Sequence, residues 1–283
     1  MTTLITGGTG KTGSILARLL HAAGKPFLIA SRTGKAPELF KAVKFDWFDA
    51  TTFENPFKLS ADIDRVYLII PLVLDPLPVM KPFIDLAVSK GVKRFIFMST
   101  SSTNAGDELH GKVHQYLLDI GVGYGVLRPT GFMENFGQHP WFVRTIKESS
   151  ELVSAYQDGR IPYVACEDIA QAAFEMLTAE ESPNEDIYVV GPTLYSNDEA
   201  LALLSSVLGR EIKHRRNTVA EQEEFYKTKF AFPPELAKVL SQRDKQIVDG
   251  FQESLVNEPE DKKFIGKKTL LEYFEKNSEL WTK

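Results

Sequence analysis

Three glycines, Gly7, Gly10 and Gly13, stand between a short apolar run and a helix-forming stretch. Residues 4–13 read Leu-Ile-Thr-Gly-Gly-Thr-Gly-Lys-Thr-Gly, and Ser14–His21 follows with helical character. A strand–turn–helix unit of this kind receives the pyrophosphate of a dinucleotide. Gly7 permits the tight turn, Gly10 lets the backbone approach the phosphates, and Gly13 lets the helix pack close to the strand. The phosphates then sit on the free N–H groups and positive dipole of the helix start. Thr9, Lys11 and Thr12 complete the expected loop. The plainer alternative is a glycine-rich turn that merely caps a helix.

The 283 residues suit one large domain, or a main domain with a smaller one appended. At 43% hydrophobic and 25% charged, the chain can bury a full core. A net charge of −5 argues against nucleic acid as a partner, since phosphate backbones select basic surfaces. Cys166 is the one cysteine, so no disulfide forms within the chain and no cysteine metal site is possible. The five histidines show no ligand spacing. Cys166 reads better as a small buried residue than as a nucleophile. No apolar stretch reaches membrane-span length, and a strand starting at residue 2 or 3 leaves no room for a signal peptide. The expectation is a soluble cytoplasmic protein with a small-molecule substrate, binding neither nucleic acid nor membrane.

Apolar runs and amphipathic helices alternate over the first 130 residues. Strands are predicted at Thr3–Thr6, Phe27–Ser31, Val43–Asp46, Val66–Ile70, Arg94–Ser99 and Gly125–Arg128, with helices at Lys11–Ala23, Pro76–Lys90 and Glu108–Ile120. That alternation predicts an α/β fold, a Rossmann-type doubly wound parallel sheet whose crevice lies beyond the C-terminal strand ends. Residues 1–150 form the expected dinucleotide domain. The helix Glu167–Ala179 and strand Asp186–Val190 are expected to let residues 160–192 rejoin it. Residues 193–283 are expected to form a smaller, mostly helical substrate domain roofing the crevice. Ser196, Thr218 and Thr269, each with a glutamate three positions later, fit the capping box. Pro233-Pro234 separates two helices, and Glu258–Lys263 reads as a solvated loop.

The residues just after each strand carry the chemistry. The second strand ends in Ser31-Arg32-Thr33 without the acidic residue that holds the ribose of NAD. Arg32 can pair with a 2′-phosphate through its planar fork, with Ser31, Thr33 and Lys35 in support, so NADP(H) is the expected cofactor. Asp46-Trp47 follows the third strand and would lie near the adenine, or form a plain turn. Ile70-Pro71 follows the fourth and can pack on the cofactor. Ser99-Thr100-Ser101 follows the fifth, where a hydroxyl meets substrate or ribose, or caps a helix. Carbonyl reductases of this fold use a Tyr-x-x-x-Lys pair on the next helix. Here Lys112 has Glu108 four positions before it, and Tyr116 has Ile120 four after it, so the pair is absent. Lys112 can still hold the nicotinamide ribose. His114 is either a residue of the helix surface or a proton relay. In Pro129-Thr130-Gly131-Phe132-Met133-Glu134-Asn135-Phe136, the proline and glycine shape a turn over the nicotinamide, with Pro129 and Thr130 on the cofactor side. Phe132 and Phe136 would wall the substrate pocket. Glu134 faces a cation or satisfies a backbone turn.

These segments, with Ala30-Ser31-Arg32, Phe45-Asp46-Trp47, Gly159-Arg-Ile-Pro162, Asp168-Ile-Ala170 and Val207–Ile212, resemble the NmrA-like branch of atypical short-chain dehydrogenases. Within it the chain is most similar to the festuclavine synthase and agroclavine dehydrogenase group of fungal ergot alkaloid pathways. The similarity runs over nearly the whole chain and weakens after about residue 215. The resemblance implies NADPH-dependent reduction of a cyclic iminium formed from an indole alkaloid aldehyde. Hydride addition to a cation gives a neutral amine and needs no acid at the reacting centre, which suits a site without the tyrosine. The ergot enzymes carry a large aromatic where this chain has Gly131, which implies a wider pocket and a bulkier indole alkaloid. Two other readings follow: an NADP(H)-dependent stereoselective cyclase or oxidoreductase on a prenylated indole alkaloid, in the manner of a Diels–Alder catalyst, and an NADP-binding redox sensor without catalysis.

Overall fold

A computed structural model describes residues 1–37 and 40–282; Lys283, the end of the predicted helical segment, lies outside them. The strands and helices run in order β1 (Thr2–Thr6), α1 (Lys11–Ala22), β2 (Phe27–Ser31), β3 (Ala42–Lys44), α2 (Asn55–Leu59), β4 (Ile63–Leu68), α3 (Leu77–Ser89), β5 (Arg94–Met98), α4 (His110–Asp119) and β6 (Gly123–Pro129). There follow α5 (Glu134–Gln138), α6 (Pro140–Ser149), β7 (Glu151–Ser154), β8 (Arg160–Ile161), α7 (Cys166–Thr178), β9 (Glu185–Val190), β10 (Tyr195–Ser196) and α8 (Asn197–Leu208). The last are β11 (Lys213–Arg216), α9 (Val219–Lys229), α10 (Pro234–Val248), α11 (Phe251–Ser254), β12 (Lys263–Ile265) and α12 (Leu270–Lys276).

The main sheet has eight strands in the order β12-β9-β6-β5-β4-β1-β2-β3. From β3 to β6 this is the doubly wound order 3-2-1-4-5-6, which reverses between β1 and β4. β1 pairs in parallel with both β2 and β4, so the reversal sits on the strand that feeds the glycine loop. The expected fold class is therefore present, and β9 joins the sheet beside β6 as expected. Central strands of parallel sheets are covered on both faces and read as unbroken apolar runs. β5 shows this with Arg-Phe-Ile-Phe-Met, every residue buried.

The chain divides into two compact units. One holds Met1–Arg128 and Ile169–Ile187, the other Pro129–Asp168 and Tyr188–Lys283. In the first unit Phe45, Phe53, Phe57 and Phe83 centre an aromatic core against the sheet. Phe45 and Phe83 meet edge to face at 4.8 Å, a favoured aromatic geometry. The buried Arg94 donates to the carbonyls of Met176 (2.9 Å) and Ala179 (2.7 Å), satisfying the last turn of α7. In the second unit Phe136, Tyr163, Leu201, Phe274 and Trp281 form a separate core.

Three expectations change. β3 ends at Lys44, not Asp46, because the Asp46 carboxylate accepts the Phe48 N–H (3.0 Å) and turns the chain. The fourth strand runs over Ile63–Leu68 rather than reaching Ile70. Glu258–Lys263 is not a solvated loop: Glu260–Lys262 is a 3₁₀ turn and Lys263 opens β12, which pairs in parallel with β9. The Lys263 ammonium donates to the Val256 carbonyl at 2.8 Å. The three capping boxes at Ser196, Thr218 and Thr269 form with both reciprocal hydrogen bonds.

Candidate functional site

Gly7 takes φ +64°, the left-handed region that glycine enters at no steric cost. A β-carbon on Gly13 would lie 2.5 Å from the Gly7 carbonyl oxygen, so the helix can approach the loop only without one. Gly8 is equally constrained, with Ile29 Cγ2 2.8 Å from a notional β-carbon, and the triplet spacing alone did not single it out. The Gly10 N–H bonds to the Gly7 carbonyl at 2.8 Å, closing the turn. α1 begins with no side-chain cap and no acidic residue in its first turn. Its dipole therefore faces outward uncompensated, as an anion cradle requires. Gly7, Thr9 and Gly10 are exposed and Lys11 is half-buried. Thr12 departs from its expected role. Its side chain is buried, and its hydroxyl meets the Tyr67 hydroxyl at 3.0 Å, so it fastens the helix to β4 from below.

At the end of β2, Ser31 donates to the Lys35 carbonyl at 2.7 Å, which folds the turn back under Arg32. Arg32 is exposed and has no ion pair among the described residues. Asp46 is engaged in its own turn. The Trp47 indole N–H donates to the Ile69 carbonyl (3.1 Å), and the Ile69 N–H donates to Thr6 Oγ1 (2.9 Å). Trp47 thus ties the ends of β3, β4 and β1 together. Ile70 is half-buried against the aromatic core and Pro71 is buried.

The turn after β5 is held by a residue that the expectations left out. Arg128, buried in β6, donates to the Ser101 carbonyl (3.0 Å) and Asn104 Oδ1 (2.9 Å), and pairs with Asp186 (2.8 Å). A planar guanidinium with three fixed partners sets the orientation of the 101–104 turn. Ser99 and Ser101 are buried, and Thr100 bonds Thr103 at 2.9 Å. An arginine inside an otherwise apolar strand was the signal available in the sequence.

On α4, Lys112 is half-exposed and pairs with Asp75 at 3.1 Å. His114 is 3% exposed, which overturns the helix-surface reading. Burial holds its pKa below the ordinary value; Asp186 draws it up and Arg128 pushes it down. Glu108 is exposed before the helix begins. The Tyr116 hydroxyl is hydrogen-bonded to Asp85 and to the Lys81 ammonium (2.9 Å). Partial burial and Asp85 raise its pKa, the opposite of what an activated acid needs.

In the second unit, Thr130 donates its hydroxyl to the Pro162 carbonyl at 2.5 Å and its N–H to Val189 at 3.0 Å, so both donors serve the fold. Pro129 is buried at the end of β6. Gly131 does not widen a pocket. A β-carbon there would lie 3.0 Å from Ile161 and 3.1 Å from Tyr163, so their side chains already fill the space. The bulkier-substrate expectation loses its basis. Phe136 is core rather than wall: it is 2% exposed, and its ring meets Tyr163 at 5.1 Å and Phe274 at 5.2 Å. Phe132 is half-buried and bridges to Val164. Glu134 is buried and accepts the Cys166 N–H at 2.9 Å, at the start of α7. Cys166 is buried, as expected. The remaining motifs serve architecture too. Arg160 reaches Glu199 (3.0 Å), Asp168 accepts the Lys268 N–H (3.0 Å), and Arg210 donates to the Ile146 and Trp281 carbonyls (3.0 and 3.1 Å). Among the described residues no cluster of ligands suits a metal ion, and no helix is long and apolar enough to cross a membrane.

A doubly wound sheet with a glycine cradle at its reversal defines the class of NAD(P)-type Rossmann proteins. Solved structures agree on the fold. The NADPH-dependent quinone oxidoreductase of Escherichia coli, solved with NADPH, matches with a TM-score of 0.76 at 20% identity, over 96% of this chain and 98% of that one. The triphenylmethane reductase of Citrobacter sp. matches with a TM-score of 0.75 at 19% identity, over 98% and 100%. No protein-family model matches the chain. Festuclavine synthase I of Penicillium roqueforti (strain FM164) is 39% identical over 262 residues, 90% of this chain and 91% of that protein. Agroclavine dehydrogenase of Claviceps fusiformis is 35% identical over 286 residues, 99% of both. The chain belongs to the family of festuclavine synthases and agroclavine dehydrogenases.

Proposed function

We propose that this protein is an NADPH-dependent oxidoreductase that reduces a cyclic iminium of an indole alkaloid. The observation that carries the reading is an anion cradle with an unpaired arginine in a unit whose helix α4 offers no free tyrosine acid. Gly7, Thr9, Gly10, Lys11 and Gly13 would hold the pyrophosphate, and Ser31 and Arg32 the 2′-phosphate. Ile70 and Pro71 would pack on the rings. Lys112 would leave Asp75 to hold a ribose hydroxyl, while Ser99, Thr100 and Ser101, set by Arg128, orient ribose or substrate. Bound NADPH supplies hydride. The protein's part is to place an electrophilic carbon against it, which by orientation alone can account for much of the rate. An iminium carbon needs no proton as it accepts hydride, so a tied-off Tyr116 costs nothing. His114, buried and held neutral, is suited to passing a proton if the product amine requires one. The festuclavine and agroclavine names of the relatives support an indole alkaloid as substrate.

The test is NADPH oxidation by purified protein with a cyclic indole iminium, followed by nicotinamide absorbance and product mass. Turnover with NADPH, and a product heavier than the iminium by one hydride, is expected. Tight NADPH binding without turnover on any indole iminium would replace this reading with that of a redox sensor.

A further inference from the structure

We propose that a cleft at the N-terminal edge of the main sheet binds a flat aromatic ring that carries a carboxylate or a phosphate. The site lies within the first unit and stands independently of the reductase reading.

The cleft has a volume of 370 Å³ and lies where β1, β2 and β3 begin and α1 ends. That is within the roughly 300–1,000 Å³ of small-molecule sites. The glycine loop feeds the opposite end of α1, and a helix of twelve residues is about 18 Å long, so the cleft is separate from the cradle.

Rings gather in it. Phe40 meets Phe27 edge to face at 5.1 Å and the His21 imidazole at 5.4 Å. The Phe40 N–H donates to the Pro37 carbonyl at 3.0 Å, and this turn lays the ring beside β2. Phe27 and Phe40 are only half-buried and Leu59 is 55% exposed, so apolar surface stays open to the cleft. Apolar surface gathered in a concavity, rather than scattered, marks a ligand groove.

The charge in the cleft is one-sided. Lys25 and Lys41 line it, both exposed and neither in an ion pair among the described residues. No aspartate or glutamate lines it among those residues. In a chain of net charge −5, two uncompensated ammonium groups on one small cleft make a local positive field. The hydroxyls of Thr2 and Ser60, also on the wall, donate to Asp62 at 3.0 and 2.7 Å. Asp62 is itself paired with the N-terminal ammonium at 2.9 Å, so its charge does not cancel the lysines. The carbonyls at the end of α1 would repel an anion if they were bare. They are occupied: Leu20 accepts the Lys25 N–H at 2.9 Å and His21 the Gly24 N–H at 3.0 Å. A neutral ring would leave both ammonium groups unused, and an anion without a ring would forgo the aromatic contacts. Lysine meets carboxylate and phosphate alike as a point charge, so the ligand is defined by a ring with an anion on it.

The test is calorimetric titration of full-length protein, saturated with NADP, at pH 7.5 and low salt. The probes are 2-naphthoate and 2-naphthyl phosphate, with neutral 2-naphthamide as the control. Binding of at least one anion is expected, and the tighter of the two identifies the acidic group of the ligand. The double variant Lys25→Gln, Lys41→Gln is expected to weaken that anion at least tenfold and the amide less than twofold. Phe40→Leu, which removes the ring and keeps an apolar side chain, is expected to weaken anion and amide alike, by three- to tenfold. Failure of both anions to bind overturns the proposal. So does equal affinity of wild type and the lysine variant for the anion, or equal loss of anion and amide in that variant. An anion whose affinity falls as NADP is added occupies the cofactor cradle instead, which also overturns it.

Discussion

In the proposed reading, Arg32 is the residue on which cofactor choice turns. It stands exposed and unpaired at the end of β2, with the Ser31 turn folded beneath it. A charge-assisted contact to phosphate is worth about 2 kcal/mol, or roughly thirty-fold in Kd. Arg32→Ala is therefore expected to weaken NADPH by about that factor and NADH by less than threefold, as calorimetry would measure. Asp244 sets a pH dependence of stability. Burial pushes its folded pKa up to about 7, above the ordinary 3.8, so the folded state keeps a proton that the unfolded state has lost. That contribution is fully present below about pH 4 and is lost as pH rises through 7. A gap of three pKa units corresponds to at most about 4 kcal/mol. Asp244→Asn is expected to melt above wild type at pH 8, with the gain fading towards pH 4 in thermal scans. Gly7, Gly10 and Gly13 were legible in the sequence because their constraint is local, one turn meeting itself. Gly131 was not. What fills its surroundings is Tyr163, which lies 32 residues further along the chain, and no spacing rule reaches that far.

Elements announced themselves to the extent that their bonds stay short-range. The capping boxes of α8, α9 and α12 close within three residues, and all three were readable. β11 pairs with β7 about sixty residues earlier, and β12 with β9 about seventy-five earlier, so nothing in Lys213–Arg216 or Lys263–Ile265 marks them as strands. Charged side chains there are edge decoration, not a loop signature. α5 was misjudged for the same reason. Phe136 looks like a wall residue within Pro129–Phe136, yet its ring is enclosed by Tyr163 and Phe274, and its carbonyl accepts the Trp281 indole N–H at 2.9 Å. Phe136→Ala is expected to destabilise the protein by about 3–5 kcal/mol in urea unfolding. A wall residue would lose far less stability and would change KM instead.

For the whole molecule, the glycine cradle links ligand occupancy to folding. A ligand at a hundredfold over its Kd stabilises by about 2.7 kcal/mol. For a chain of this size that is a rise of roughly 5–10 °C in the melting temperature. NADPH is expected to give this rise in scanning calorimetry, and Arg32→Ala to remove most of it. The doubly wound parallel sheet was legible from the alternation of apolar runs and helices, whereas its strand order and the division at Arg128 and Ile169 depend on which contacts close after the chain has folded. The sealed position of Cys166 has a practical side. Its thiol is fully enclosed, and the sequence holds no other cysteine. Thiol-directed dyes should ignore the native chain, since enclosed sulfhydryls are inert. A fluorophore attached through one introduced surface cysteine would then report from a single known address, with no background to subtract.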